Sequence, residues 1–228
     1  MTTHAWTTSI PRAAEREGRF WGRRVLNVLV AALGLLVALP LMLLIALAVK
    51  FSSTGPVRFV QIRIGIDRRR RDLDANTGGR RVDLGGRPFA MFKFRTMRPT
   101  TDVIQQWAGS HETRITRIGR ILRQYRIDEL PQLLNVLRGD MNVVGPRPEQ
   151  PMIFARLRES IGRYAHRQRV HPGITGWAQV NLSYDRNEDD VRRKLGYDLE
   201  YIERQSAGED LRIMARTVPV MLFRRGAQ

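Results

Sequence analysis

Asp128 and Glu129 stand side by side in the run RQYRIDELPQLLNVLRGDMNVVGPRPE (123–149). An ionised carboxylate there can act as a nucleophile or a metal ligand, and its neighbour makes ionisation harder by repulsion. Leu130, Leu133, Leu134 and Leu137 recur at helical spacing, Pro131 suits a first helical turn and Gly139 suits a helix end. The spacing therefore predicts a helix over 130–138 with Asp128 as N-cap, where the helix dipole favours the ionised acid. A divalent cation, or Arg123 and Arg126, would relieve the repulsion between the two acids. A plain helix start explains Asp-Glu-x-Pro equally well, so both readings stay open at this point.

Three further groups bear chemistry. Arg147 lies between Pro146 and Pro148, which limits the backbone entropy lost in aiming its guanidinium at a phosphate; a buried structural arginine is the alternative. Lys93 and Arg95, two apart in FKFRTM, would share one face of a strand and offer two cations, with Phe92, Phe94 and Met97 arguing against a solvent-facing strand. Asp72 and Asp74 form a DxD, which some metal-dependent glycosyltransferases use to hold a nucleotide diphosphate, here inside an arginine-rich stretch. HPGITGWAQVN (171–181) concentrates glycine, proline and tryptophan in a loop suited to close backbone approach or a tight packing corner.

The elements that must position these residues follow from periodicity. Residues 51–66 alternate apolar and polar after a Gly-Pro turn, as a half-buried strand does, and 88–97 reads as a short strand. Between them, 67–87 breaks all periodicity, carries Arg68 to Arg71 and reads as a solvated loop. Helices are expected over 113–126, 130–138, 151–169 and 188–205, and 210–225 mixes apolar residues with arginines, as an interfacial helix or a core-packed one would.

From Val25 to Val49 the chain carries no charge, which exceeds the ~20 apolar residues that a bilayer-spanning helix needs. The uncharged run is longer than a signal-peptide core and no small-residue cleavage site follows it. Arginines precede it and Lys50, Arg58 and Arg63 follow, so the positive-inside rule favours both ends in the cytoplasm. Pro40 is a candidate break for a helix that dips in and returns, although a spanning helix with a tolerated proline is equally consistent.

Composition bounds the classes. A chain of 228 residues suits one domain plus an anchor. The absence of cysteine excludes disulfides, thiolate metal sites and cysteine nucleophiles. A net charge of +17, nearly all of it arginine, calls for a polyanionic neighbour: nucleic acid, anionic lipid or phosphorylated substrates.

Taken in order, the proline-broken anchor ending near Lys50, GPVRFVQIRIG, KFRTM, RIDELPQLLNVLRGDMNVVGPRPE, PGITGWAQVN and the closing DLEYI with a later DL and T resemble the bacterial sugar transferases, the monotopic polyprenyl-phosphate phosphoglycosyl transferases. The resemblance covers nearly the whole chain after residue 20. It implies an α+β protein: a polar segment 1–20, a re-entrant membrane helix-break-helix over 21–50 turning at Pro40, and a small, mainly helical catalytic domain over 51–228 with short strands and interfacial amphipathic helices. It further implies the cytoplasmic face of a bacterial inner membrane with its anionic lipids, and a minimal catalytic form lacking the extra helices of larger members.

The implied chemistry has two steps. Asp128 would attack the β-phosphate of a UDP-sugar and release UMP, and undecaprenyl phosphate would then take the sugar phosphate from the enzyme in the first membrane step of exopolysaccharide, capsule, O-antigen or glycoprotein glycan synthesis. Glu129 would help to hold Mg²⁺ or handle protons, and Lys93, Arg95, Arg123 and Arg147, the last framed by Pro146 and Pro148, would neutralise phosphate charge. Nucleic acid is not among the implied partners, and a homo-oligomer is left open. Leu39 stands before Pro40 where many members carry serine, and His171 stands where a basic residue is frequent. Two rivals make different predictions: a DxD glycosyltransferase would release UDP, and a membrane-anchored basic binding protein would be indifferent to Asp128→Asn.

Overall fold

The computed structural model of the chain describes residues 13–67, 85–99, 114–182 and 187–222. The DxD acids Asp72 and Asp74, most of the expected 67–87 loop, and 223–225 of the last expected helix lie outside the described residues.

The apolar run forms one helix, α1 (Ala13–Ser52), so the segments expected as polar leader and strand start contribute to its two ends. Where the sequence suggests two halves about Pro40, the helix assignment runs through the proline. A proline removes one N–H and crowds the carbonyl four residues before it, which bends an apolar helix without having to end it. The stretch Trp21–Ser52 is long and apolar enough to cross a membrane, and only 11% of its most apolar window is buried, unlike the core helix of a soluble protein. Leu36 and Val37, next to Pro40, are more than two-thirds exposed at 71% and 72%.

After the Gly55-Pro56 turn, β1 (Arg58–Ile64) pairs antiparallel with β2 (Pro88–Phe94), with Arg58 opposite Phe94 and Ile64 opposite Pro88. α2 (Arg117–Gln124) starts at Thr116, whose hydroxyl accepts from the Gly119 amide at 2.9 Å. A single 3-10 turn (Ile127–Glu129) leads into α3 (Gln132–Arg138), which ends at Gly139 with φ of 82°, a left-handed cap that glycine adopts without strain. β3 (Asn142–Val144) pairs in parallel with β4 (Gly173–Thr175), a small sheet with no period-2 signal in the sequence. The expected 151–169 helix is divided: α4 (Pro151–Ser160) stops before Arg163, whose φ of 64° is left-handed, and a 3-10 segment (Tyr164–Arg169) follows. α5 (Trp177–Asn181), α6 (Glu188–Arg204) and α7 (Ala207–Leu222) complete the described chain. The mixed, mainly helical class with short strands holds.

Four apolar clusters make the core, and α1 enters two of them. Ala31 packs with Phe89, Met91, Val136 and Met141, and Ile45 and Val49 pack with Phe94 and Leu122. Ile64 joins α4 to α6 through Phe154, Leu157, Val191 and Leu195, and Val144 meets Trp177, Tyr201 and Ile213. Buried Ile213 docks α7 on the domain, as the core-packed reading expects, while Leu211 and Val218 stay exposed.

Candidate active site

The dyad sits where α2, α3 and β2 converge. Asp128 is not an N-cap: it lies in the 3-10 turn four residues before α3 begins, after Arg126 in a left-handed conformation with φ of 54°. The turn holds together by short-range bonds, Glu129 N–H to the Arg126 carbonyl and Leu130 N–H to that of Ile127, both 3.2 Å. Both carboxylates are thereby buried, at 8% and 6% exposure. α3 is locked to the strand that carries Lys93: the Asn135 side chain accepts from Phe92 N–H at 3.0 Å and donates to the Ala90 carbonyl at 2.7 Å. The spacing between dyad and Lys93 is therefore set by backbone contacts and not by the ions alone.

The two acids have opposite electrostatic fates. Glu129 Oε1 accepts from Lys93 Nζ at 2.7 Å and from Arg147 Nη2 at 2.8 Å. Burial would raise the Glu129 carboxyl, but Arg147 and Lys93 outweigh it and hold it well below the usual range. Asp128 makes no side-chain hydrogen bond or ion pair of its own among the described residues. Burial pushes its carboxyl up to about 6; Lys93 opposes this, the Glu129 charge adds to it, and Arg147 and Arg123 oppose it. The dipole argument from the sequence, which favoured an easily ionised Asp128, is thus overturned by desolvation. The site thus holds an ion-paired glutamate beside an aspartate with no hydrogen-bond or ion-pair partner among the described residues.

The loop bearing Arg147 is pinned on every side. Pro146 O accepts from Gly173 N–H at 2.9 Å, Pro148 O from Arg63 Nη1 at 3.0 Å, and Glu149 O from Ile64 N–H at 2.9 Å. Gly145 N–H donates to Thr175 O at 2.9 Å. A Cβ on Gly145 or Gly173 would collide with backbone of the facing loop, so the glycine-rich 171–181 stretch is the packing corner that supports this loop. Behind it, Arg167 binds Asp198 at 2.7 Å, the Tyr164 hydroxyl at 2.6 Å and the Arg147 carbonyl at 3.0 Å, with Arg167 and Asp198 side chains each 2% exposed. Sequence reasoning missed Arg63, Arg167 and Asp198 as supports; Asp198 lies in DLEYI, but no local pattern says which arginine it meets.

Asp128, Glu129, Lys93 and Arg147 are therefore brought together, with Arg123 close enough to act on Asp128 electrostatically and Pro146 and Pro148 framing the loop. Arg95 is not. β2 ends at Phe94, and the buried Arg95 guanidinium donates to the carbonyls of Val49 at 3.0 Å, Ser53 at 2.6 Å and Pro56, so it caps the end of α1 and does not join Lys93 in facing phosphate. Pro40 lies within α1.

An apolar helix long enough to cross a membrane, docked on a small α+β domain with an unbonded aspartate near Lys93, Arg147 and Arg123, forms a site whose charge suits phosphorylated substrates. The chain belongs to the bacterial sugar transferase family, whose model matches residues 18–73 and 77–224. It is 43% identical over 205 residues to a UDP-glucose:undecaprenyl-phosphate glucose-1-phosphate transferase of Caulobacter vibrioides, covering 88% of this chain and 69% of that protein. It is 37% identical over 207 residues to a UDP-N-acetylgalactosamine-undecaprenyl-phosphate N-acetylgalactosaminephosphotransferase of Aeromonas hydrophila, covering 90% of this chain and 45% of that protein. A UDP-glucose:undecaprenyl-phosphate glucose-1-phosphate transferase of Xanthomonas campestris is 42% identical over 204 residues, covering 87% and 38%. The chain thus spans less than half the length of the last two relatives.

Proposed function

We propose that this chain transfers a sugar 1-phosphate from a UDP-sugar to undecaprenyl phosphate, releasing UMP, with Asp128 as the covalent nucleophile. The observation that carries this reading is the contrast within the dyad: Glu129 is consumed by two cations, whereas Asp128 has no bonded partner and only charges around it. An Asp128 oxygen attacks the β-phosphorus, the bond from that phosphorus to the bridging oxygen breaks, and UMP departs with the electron pair. Undecaprenyl phosphate attacks the same phosphorus and Asp128 leaves as carboxylate. Two dianionic phosphates need not then meet directly, and Lys93, Arg147 and Arg123 offset charge in both steps.

Mg²⁺ suits the donor set. Among the described residues no third acid or histidine joins the dyad, and a magnesium ion is held by one or two carboxylates together with substrate phosphates. Asp128 would be its main ligand, with Glu129 Oε2, which accepts only the long 3.5 Å hydrogen bond from Arg147 Nη1, as the second oxygen. Bound there, it would neutralise diphosphate charge and polarise the phosphoryl oxygens.

The membrane arrangement is the second part of the proposal: α1 enters and leaves on the cytoplasmic face, bending near Pro40. Both ends of its apolar run hold the same domain. Arg23 pairs with Asp210 at 2.9 Å and Arg24 donates to the Val136 carbonyl at 2.7 Å, while at the other end the Val49 and Ser53 carbonyls accept from Arg95. A straight crossing would separate Arg23 from Val49 by about 39 Å along the axis, more than the hydrocarbon core, and would leave one docked end on the wrong side. Single cysteines replacing Gly22 and Met152, both exposed, are expected to react with an impermeant maleimide from the same side of oriented vesicles; labelling from opposite sides would rule re-entry out.

The reaction is tested by incubating the purified chain in lipid nanodiscs with Mg²⁺, undecaprenyl phosphate and a panel of UDP-sugars that includes UDP-glucose and UDP-N-acetylgalactosamine. Carrier-dependent UMP release with at least one donor is expected. Release of UDP would instead favour a glycosyltransferase.

A further inference from the structure

A cleft of about 170 Å³ opens beside the dyad, between α3, α5, α7 and β4, with Glu129 and Arg126 in its wall. Most of its remaining surface is aliphatic: Leu130, Leu133, Ile174, Val180, Val220 and Met221. Away from Glu129 and Arg126, its polar side chains are largely spent on the protein. The Thr175 and Thr217 hydroxyls bond each other at 2.8 Å, Thr217 also donates to the Ile213 carbonyl at 2.8 Å, and Gln179 Nε2 donates to the Ile174 carbonyl at 2.9 Å. Among these groups Gln179 Oε1 alone is left without a partner. A uracil or a sugar needs several convergent donors and acceptors, which this lining does not supply.

Two contacts give the cleft a direction. Glu129 links it to the site of phosphoryl transfer, and Leu133 links it to the anchor, since a Cβ placed on Gly34 of α1 would stand 3.3 Å from Leu133 Cδ1. An aliphatic cavity of roughly 150 Å³ is enough to take up benzene. That is close to the size of one isoprene unit.

We propose that this cleft seats the isoprene unit next to the phosphate of the polyprenyl carrier, so that the acceptor reaches Asp128 from the membrane side through α3, α5 and α7 while the rest of the tail runs along α1. The identity of the acceptor rests on the transfer reaction proposed above. The arrangement places the two substrates on separate surfaces: the nucleotide sugar against the cations of the dyad, and the carrier tail in a lining that gains from apolar burial.

The test is photolabelling of the full chain in nanodiscs with undecaprenyl phosphate carrying a diazirine on its first isoprene unit, followed by peptide mapping. Adducts are expected on 174–180 and 217–221, reduced at least fivefold by unlabelled undecaprenyl phosphate but not by UMP or by excess phosphatidylglycerol. Val220→Phe, which fills the cleft, is expected to lower the adducts on 174–180 at least fivefold while labelling of α1 persists. Adducts confined to the exposed leucines of α1 would overturn the proposal, as would loss of cleft labelling with UMP, which would assign it to the nucleotide, or with phosphatidylglycerol, which would make it a general acyl-chain site. Because labelling requires no turnover, its outcome is separate from UMP release: failure of release with every donor would strike the reaction and leave the cleft assignment to stand or fall on the adducts.

Discussion

Asp128→Asn is expected to reduce UMP release by at least about 10⁴-fold, because an amide cannot supply the attacking oxygen and loss of a covalent nucleophile leaves only binding and electrostatics to act. A sugar-phosphate adduct on the intact protein, sought by mass spectrometry in the absence of carrier, should vanish with it. The same substitution is expected to stabilise the protein. Asp128 has a folded pKa near 6 against an ordinary value of 3.8, because burial outweighs the cations around it. A carboxyl raised on folding contributes full stability below pH 4 and loses it as pH climbs from 4 to 6, a penalty of up to about 3 kcal/mol that persists at neutral pH. Asparagine never ionises and escapes that penalty. In chelator, to keep divalent cations off the dyad, the thermal midpoint of Asp128→Asn should exceed that of the parent by roughly 5 °C at pH 7.5 and the gap should close near pH 4. A lower midpoint for the variant at pH 7.5 would mean that Asp128 is held by partners and carries no net cost of burial as a carboxylate.

The second large effect lies behind the Arg147 loop. Asp198→Ala leaves the guanidinium of Arg167, 2% exposed, with its nearest counter-charge gone and only the longer 3.4 Å contact to Glu149 remaining. Removing one partner of a buried ion pair costs about 3–5 kcal/mol. Thermal unfolding should drop accordingly, and turnover should fall as well, because Arg167 also fixes the backbone of Arg147, which in turn holds Glu129. Replacing both members, Arg167→Met with Asp198→Leu, is expected to recover much of the stability but not the turnover, since an apolar pair can fill the volume but cannot hold the Arg147 carbonyl. Recovery of both together would mean that the pair is only structural.

Much of the site was legible because its residues lie close together in sequence. The acids are neighbours, Arg147 follows within the same run, and an aromatic-flanked Lys93 marks a strand that cannot face water on both sides. The long apolar helix α1 was legible because its uncharged stretch runs well past the length of an ordinary surface helix. Local pattern misled where a long-range contact competes with it. Arg95 looks like a second cation beside Lys93, yet the free carbonyls at the end of α1 are a nearer demand on its donors. Asp128 looks like a helix cap, yet Arg126 takes a left-handed conformation and the chain tightens into a 3-10 turn before α3 begins.

By itself the sequence determined the long apolar helix, the helical and strand periods, and the order of the acids and arginines, since each depends on residues within a turn or two of one another. Only the tertiary structure decided which carboxylate is paired and which is left open, because that depends on Lys93 reaching Glu129 across 36 positions at 2.7 Å. It likewise decided that Arg167 and Asp198 stand behind the Arg147 loop, and that an apolar cleft joins Glu129 to α1. Desolvation and ion pairing are properties of the packed interior, and they exist only once distant segments have closed around the same few atoms.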